Sequence, residues 1–518
     1  MGARYAKKRG VVAADHTLSA EAGIEMLRLG GNAFDAVTAA AWMSFVANST
    51  IASAGGGGYL LAAPESADVH FFDFFVDTPV RRYPLITPDF YPVTVNFGDK
   101  SQEFHIGLAS AATPGNVAGL FEVHDRFGLL PMATVCAPAV EAARKGVEID
   151  RQARYQMEIL APILTASEQG RSVYAPSGAL LQIGERWAIP DFADCLEYLS
   201  LHGPREFYEG EIAGRIARDS QERGGHLRKS DFLAYRVQDR SPLCTVYRKY
   251  DLFTPPPPAP GGQLLAFILS LLNHQKLNPS DYATVRHFDT LVNAMKLTEK
   301  ARQAHLSTQH SDTGGLLSEH VIDKFRGLIA GWSGGVGNTV HISAADGDQN
   351  MALITTSAGE GCGYIVPGTG IMLNNMLGEE DLAPGGFHRW EPGMRMGSMM
   401  APCMLSRRGR PVMGLGSAGS NRIRSAIAQS ILNFVDFKLG FDEVVNMPRI
   451  HWERGHLDVE PGFDAGVIAS LSRDPEEGLI LWKEQNMYFG GVQAVFIDDE
   501  GGLHGAADRR RSGAVAQC

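Results

Sequence analysis

Residues 331–346 read GWSGGVGNTVHISAAD. Four glycines in the first eight residues give way, at Asn338-Thr339, to a strand. Val340, Ile342 and Ala344 alternate with Thr339, His341 and Ser343, the period of two that sends successive side chains to opposite faces. Asp346-Gly347-Asp348 turns the chain, and Met351–Ser357 (MALITTS) returns, so 339–357 is a hairpin. The turn DGDQN resembles the start of a calcium loop but lacks that motif's later Gly and closing Glu.

A Gly-rich loop that ends on a Thr opening a strand is what an autocleaving N-terminal nucleophile requires. The loop lets the backbone strain until the Thr339 hydroxyl reaches the Asn338 carbonyl. Hydrolysis of the resulting ester frees the α-amine of Thr339. With a pKa of roughly 7.7–8.0, that amine can act as base for the hydroxyl of its own residue. Spacing alone equally allows a Thr that merely opens a strand. Two other motifs compete. Gly331–Gly335 is GxSxG around Ser333, but a nucleophile elbow needs a strand before it and a helix after it. Here a Gly-rich loop and a strand follow. Gly414–Gly419 is GxGxxG between a strand-like PVM and a helix, with Asp436 lying 22 residues after Gly414, where a dinucleotide fold places an acid. The chain after it does not read as repeating βα units, and Ser417, Ser420, Asn421 and Arg422 crowd the turn.

Outward from the hairpin, Ser19–Leu29 has helical spacing, with Ser19 as cap and Gly30-Gly31 as stop. Asn32–Val46 is a nearly all-apolar helix and therefore buried. Gly55–Gly58 leads into a strand-like YLLAA. Residues 150–240 are mixed and helical. Pro255–Pro258 with Ala259-Pro260-Gly261-Gly262 is a rigid connector into an apolar helix at 264–272. A long helix is expected over 286–304 and a strand–turn–helix over 411–435.

Composition narrows the function. Net charge is 47 − 58 = −11 over 518 residues, which argues against a nucleic-acid surface and leaves only a local patch at Arg509–Arg511 to consider. Arg509–Arg511 reads as a solvated tail. Six cysteines form neither CxxC nor a zinc pattern and read as idle thiols of a reducing cytosol. There is no apolar h-region and no apolar run of membrane length. A soluble, cytoplasmic protein with no membrane partner, metal or organic cofactor is expected. Glycine is in excess, 58 residues or 11% against about 7% on average.

Several blocks, in order from about Gly10 to Gly513, resemble the γ-glutamyltranspeptidases, a family of N-terminal nucleophile hydrolases. They are VVAADHTLSAEAGIEMLRLGGNAFDAVTAAA, SAGGGGYLL, ATPGNVAGLFEVHDRFGLLP, PPPPAPGG, VPGTGIMLNN, GSAGSNRI and NMPRIHWE. The resemblance implies an α+β fold, a four-layer αββα sandwich with two sheets between helices. It implies cleavage at Asn338/Thr339 into a large region, 1–338, and a small region, 339–518, intertwined as one globular unit. Thr339 is then the nucleophile, Ser357 the hydroxyl that holds it, and Gly419 and Ser420 the amides of the oxyanion hole. In the substrate pocket Glu379 and Ser398 match binding positions. Met376, Gly359 and Met399 stand where the family has polar ligands. Arg81 and Arg82 lie near the position of the carboxylate-binding Arg, but not at the expected spacing from Pro79. The pocket is therefore expected to be more apolar and wider. The implied activity is hydrolysis of, or acyl transfer from, a small-molecule amide through a Thr acyl-enzyme. A γ-glutamyl compound of glutathione metabolism is the lead substrate. A non-glutamyl amide, as in oxamate- or cephalosporin-type amidases, is the rival, and an uncleaved inactive member is the third reading. The partner is the chain's own cleavage product, and a further homo-oligomer is allowed.

Overall fold

The computed structural model describes residues 9–65, 68–96, 101–305, 317, 339–383, 385–471 and 477–518. Ser333 and Asn338, with the rest of the Gly-rich segment 331–338, lie outside them.

Two sheets carry the molecule. Their strands in chain order are β1 (Gly10–Ala14), β2 (Gly57–Ala63), β3 (His70–Phe74), β4 (Gln238–Arg240), β5 (Leu243–Tyr247), β6 (Tyr250–Thr254), β7 (Val340–Asp346), β8 (Met351–Ser357), β9 (Cys403–Arg407), β10 (Arg410–Ala418), β11 (Gly491–Ile497), β12 (Leu503–Ala507) and β13 (Ala514–Gln517). One sheet runs β13-β1-β7-β8-β2-β3-β4, the other β12-β11-β10-β9-β6-β5. Neighbouring strands are antiparallel throughout. The hairpin forms as expected, with Val340 opposite Thr356 and Ile342 opposite Ile354.

Strand alternation sorts the side chains into layers. Val12, Ala14, Val340, Ile342, Ala352 and Ile354 point to the core beneath helices α1 (Thr17–Arg28) and α2 (Ala33–Ala47). Val11, Ala13, Leu61, Met351 and Leu353 point the other way and meet Met404, Val495 and Ile497 of the second sheet. The far face of that sheet, with Leu405, Leu415 and Phe496, packs under α3 (Pro260–Asn273), α4 (Val285–His305) and α5 (Ile423–Val435). The architecture is the four-layer αββα sandwich.

Helix α2 is buried along its whole length. Its start is fixed by a reciprocal cap. Asn32 Oδ1 accepts from the Phe34 and Asp35 amides at 3.0 Å, and Asp35 Oδ2 accepts from the Asn32 amide at 2.9 Å. Helix α1 begins two residues earlier than its sequence suggests. His16 is still extended as it leaves β1, and its Nδ1 accepts from the Leu18 amide at 3.1 Å, so His16 rather than Ser19 is the cap.

The arginine run near the C-terminus is not a solvated tail. Arg510 and Arg511 are buried. Arg510 is matched by Glu460 and by Asp508 at 3.1 Å, and only Arg509 is exposed, paired with Asp442 at 2.9 Å. Opposite charges from other elements offset the desolvation that a tail would avoid. All six cysteines are free thiols, with Cys244 and Cys518 exposed. Among the described residues no helix is long and apolar enough to cross a membrane.

Candidate active site

Thr339 immediately precedes β7, one step beyond the Val340–Thr356 pair, which sets it beside Ser357 at the end of β8. Thr339, His341 and Ser343 face the second sheet, because the residues between them face the helices. At this end the layer between the sheets is polar. His341 Nδ1 shares a hydrogen bond with Thr355 Oγ1 at 2.7 Å and its Nε2 one with Ser343 Oγ at 2.9 Å. Ser343 Oγ donates to the Gln493 carbonyl at 3.0 Å. Burial drives the His341 imidazole down to about 3, so it stays neutral.

The GxGxxG motif is not one turn. Gly414 and Gly416 lie within β10, where the facing sheet leaves no room for a side chain. A Cβ on Gly416 would sit 2.3 Å from the His341 ring, and one on Gly414 2.4 Å from Met351 Sδ. Only Gly419 belongs to the turn into α5, at φ +116°, and Ser420 follows it at φ +49°. That turn carries Ser420 to Thr339. The loop Gly55–Gly58 supports the same corner from below. The Gly56 carbonyl accepts from the Gly115 and Asn116 amides at 2.8 and 3.1 Å, and a Cβ on Gly56 would lie 2.3 Å from the Ser357 carbonyl oxygen.

Thr339 opens onto a cleft of ≈ 40 Å³. Its polar lining is Thr339, Ser357, Ser398, Ser420, Glu379 and Asp381, and its apolar lining is Phe75, Met376, Leu382, Met399, Met400 and Ile423. The cleft is narrow rather than wide, with Met376, Met399 and Met400 among its walls. Glu379 is half-buried there. Burial first, then the Asp381 charge, push its carboxyl up to about 8. Gly359, at φ +64°, sits against it, since a Cβ there would lie 2.2 Å from Glu379 Oε1. Asn374 and Asn375 serve as scaffold. Asn374 binds the Gly55 carbonyl and both backbone groups of Ala112, and Asn375 Oδ1 accepts from the Glu360 amide at 3.0 Å. The proline-rich connector backs the opposite wall. The Gly261 amide donates to the Ser398 carbonyl at 3.1 Å, and Ser398 Oγ accepts from the Met400 amide at 3.2 Å.

Among the described residues no Lys or Arg lines the cleft. Arg81 and Arg82 are exposed and stand apart from it. Arg81 lies over the Tyr83 ring at 5.6 Å, and Arg82 Nη1 donates to the His388 carbonyl at 3.3 Å. The chain turns outward here, where the Val80 amide donates to Asp231 Oδ1 at 2.8 Å. The buried Arg395 near Phe75 is fully used, donating to Asp73 Oδ1 at 2.7 Å, to Asp77 and to the Arg236 carbonyl at 2.8 Å. Asp436 is occupied by Arg248 Nε at 2.8 Å and by the Tyr247 hydroxyl. Among the described residues no three His, Cys, Asp or Glu side chains group as metal ligands.

Sequence reasoning missed Phe75, Asp381, Leu382, Met400 and Ile423. Phe75 follows a strand of aromatic residues and carries only a core signal. It is placed by its neighbours, the Phe75 amide donating to Asp73 Oδ1 at 3.1 Å and its carbonyl accepting from the Tyr235 hydroxyl at 2.7 Å.

Two facing antiparallel sheets between helices, with a Thr at the start of a central strand, define an N-terminal nucleophile hydrolase. The family model for γ-glutamyltranspeptidase matches residues 19–518, and the chain belongs to that family. It is 27% identical over 537 residues to the glutathione hydrolase proenzyme of Escherichia coli K12, covering 97% of this chain and 90% of the relative. It is 28% identical over 525 residues to the acylase ACY 1 proenzyme of Pseudomonas sp. V22, covering 98% and 93%. The solved cephalosporin acylase of Bacillus halodurans superposes with a TM-score of 0.85 at 25% identity, over 98% of this chain and 96% of that one. The chain is thus an enzyme of the N-terminal nucleophile type that acts on an amide bond, in a family whose members are made as proenzymes.

Proposed function

We propose that this enzyme matures by cleavage between Asn338 and Thr339 and then hydrolyses or transfers an acyl group that carries an amine but no carboxylate. Thr339 Oγ1 attacks the amide carbonyl, and the freed α-amine takes its proton. The Gly419 and Ser420 amides meet the developing oxyanion, while Ser357 holds the nucleophile. Water or an amine then resolves the acyl-enzyme. The two pieces, 1–338 and 339–518, stay together as one unit. The observation that carries the specificity is the cleft lining, in which the half-buried Glu379 carboxyl meets Met376, Met399 and Met400 and, among the described residues, no cation. An ammonium group on the acyl chain pairs with Glu379, whereas a carboxylate loses its hydration with no compensating charge. A γ-glutamyl donor is the second reading. The family membership and the presence of both Glu379 and Ser398 in the cleft lining favour it.

Three anilides that differ in one group each separate these readings. The 4-aminobutyryl anilide keeps the amine alone, the γ-glutamyl anilide has both charges, and the glutaryl anilide has the carboxylate alone. Turnover is expected to be best with the first and poorest with the third. A preference for glutaryl over 4-aminobutyryl would sink the specificity reading. Thr339→Ala is expected to remain uncut on denaturing electrophoresis and to turn over none of the three. A cytoplasmic location belongs to the same proposal, supported by six free thiols, and cell fractionation checks it.

A further inference from the structure

Behind Thr339, away from the cleft, sits a carboxyl group that the proposed chemistry does not use. Asp15 follows β1 and is 3% exposed. It belongs to the region before the cleavage site, yet both its oxygens are bound to the region after it. Oδ2 accepts from the backbone N–H of His341 at 3.0 Å, and Oδ1 accepts from the Gln493 side-chain amide. The pairing of β1 with β7 ends at Ala14 and Ile342, so Asp15 takes the next backbone donor of β7, two residues from Thr339. Gln493 stands on β11 in the opposite sheet, and its Oε1 accepts from the Asp508 amide at 3.3 Å. One carboxylate therefore ties both sheets together just behind the nucleophile.

The structure assigns Asp15 as the positioning residue for Thr339, holding the first turn of β7 in register with the Ser420 corner through its two acceptor oxygens. The assignment rests on Thr339 being the nucleophile. The charged groups facing Asp15 are Arg511 and Asp508 from the C-terminal turn, with the neutral His341 on β7. Burial raises the Asp15 carboxyl to about 7 despite the pull of Arg511. Protonation removes one acceptor, so the anchor weakens below that point.

Asp15→Asn keeps the volume and one acceptor, and tests the assignment with the 4-aminobutyryl anilide. The expected result is a kcat at least tenfold lower, approaching the ~10² that an ångström of misplacement costs, with KM changed by less than about twofold. The wild-type kcat is expected to rise with pH through about 7, ahead of the limb of the Thr339 α-amine at roughly 7.7–8.0, and the variant to keep the second limb alone. Gln493→Leu removes the partner of the other oxygen and should lower kcat in the same way, which keeps the test available if Asp15→Asn does not fold. A folded variant with a reduced melting temperature but wild-type kcat and pH profile would overturn the assignment and leave Asp15 a packing residue. Activity in Thr339→Ala would instead overturn the nucleophile, a separate outcome.

Discussion

Ser420 stands at φ +49°, a left-handed conformation that costs an ordinary residue about 1–3 kcal/mol. In the proposed chemistry its backbone amide, not its hydroxyl, is the group used. Ser420→Gly relieves the strain but frees the unfolded chain by roughly 0.4–1 kcal/mol. The melting temperature is therefore expected to stay level or rise, with kcat within about twofold because the donor is retained. A tenfold loss of kcat would show that the hydroxyl acts. Glu379 gives a pH prediction. Its carboxyl sits at about 8 in the fold against 4.5 unfolded, so the folded state holds the proton more tightly. The stability it contributes is present below 4.5 and is lost as pH rises through about 8. Affinity for a cationic acyl chain moves the other way, since only the carboxylate pairs with ammonium. KM for the 4-aminobutyryl anilide should fall as pH rises through about 8, and Glu379→Gln should flatten that dependence.

At the scale of elements, what joins the region before the proposed cleavage site to the region after it is partly ionic. Arg424 on α5 donates to Glu299 on α4 at 2.9 Å, and both side chains are almost wholly buried. Arg424→Ala leaves Glu299 charged and without this partner in an apolar layer, a loss of about 3–5 kcal/mol. Urea unfolding should show the midpoint moving down by a matching amount, while Arg424→Met, which fills the space, still leaves the acid and should recover only part of it. The elements themselves were largely legible. The hairpin at 339–357, the apolar helix after Asn32 and the long helix near 286–304 announce themselves by period and caps. The start of α1 and the glycines of β10 did not. His16 caps only because β1 delivers it extended, and Gly414 and Gly416 mark a close approach of two sheets that no local pattern encodes.

The whole molecule is built so that the proposed cleavage after residue 338 does not divide it. Strand β1 lies between β7 and β13, β2 pairs with β8, and β6 pairs with β9, so both sheets contain strands from both sides of residue 338, interleaved in the first sheet and joined along one border in the second. After maturation the two pieces are expected to elute together on native size exclusion and to separate only in denaturant. Two separate native peaks would contradict that interleaving. By itself the sequence determined the class of fold, through ordered blocks that resemble a known family, and the Thr at the head of a strand, through its period, because ordered motifs and local alternation are properties of the chain before it folds. The tertiary structure alone decided which residues surround that Thr. Phe75, Asp381, Met400 and Ile423 come from distant points of the chain, Arg81 and Arg82 are carried outward by a turn, and Asp15 reaches His341 across 326 residues. Arg510 and Arg511 are charges in sequence and buried counterions in space, because the acids that balance them arrive from other elements.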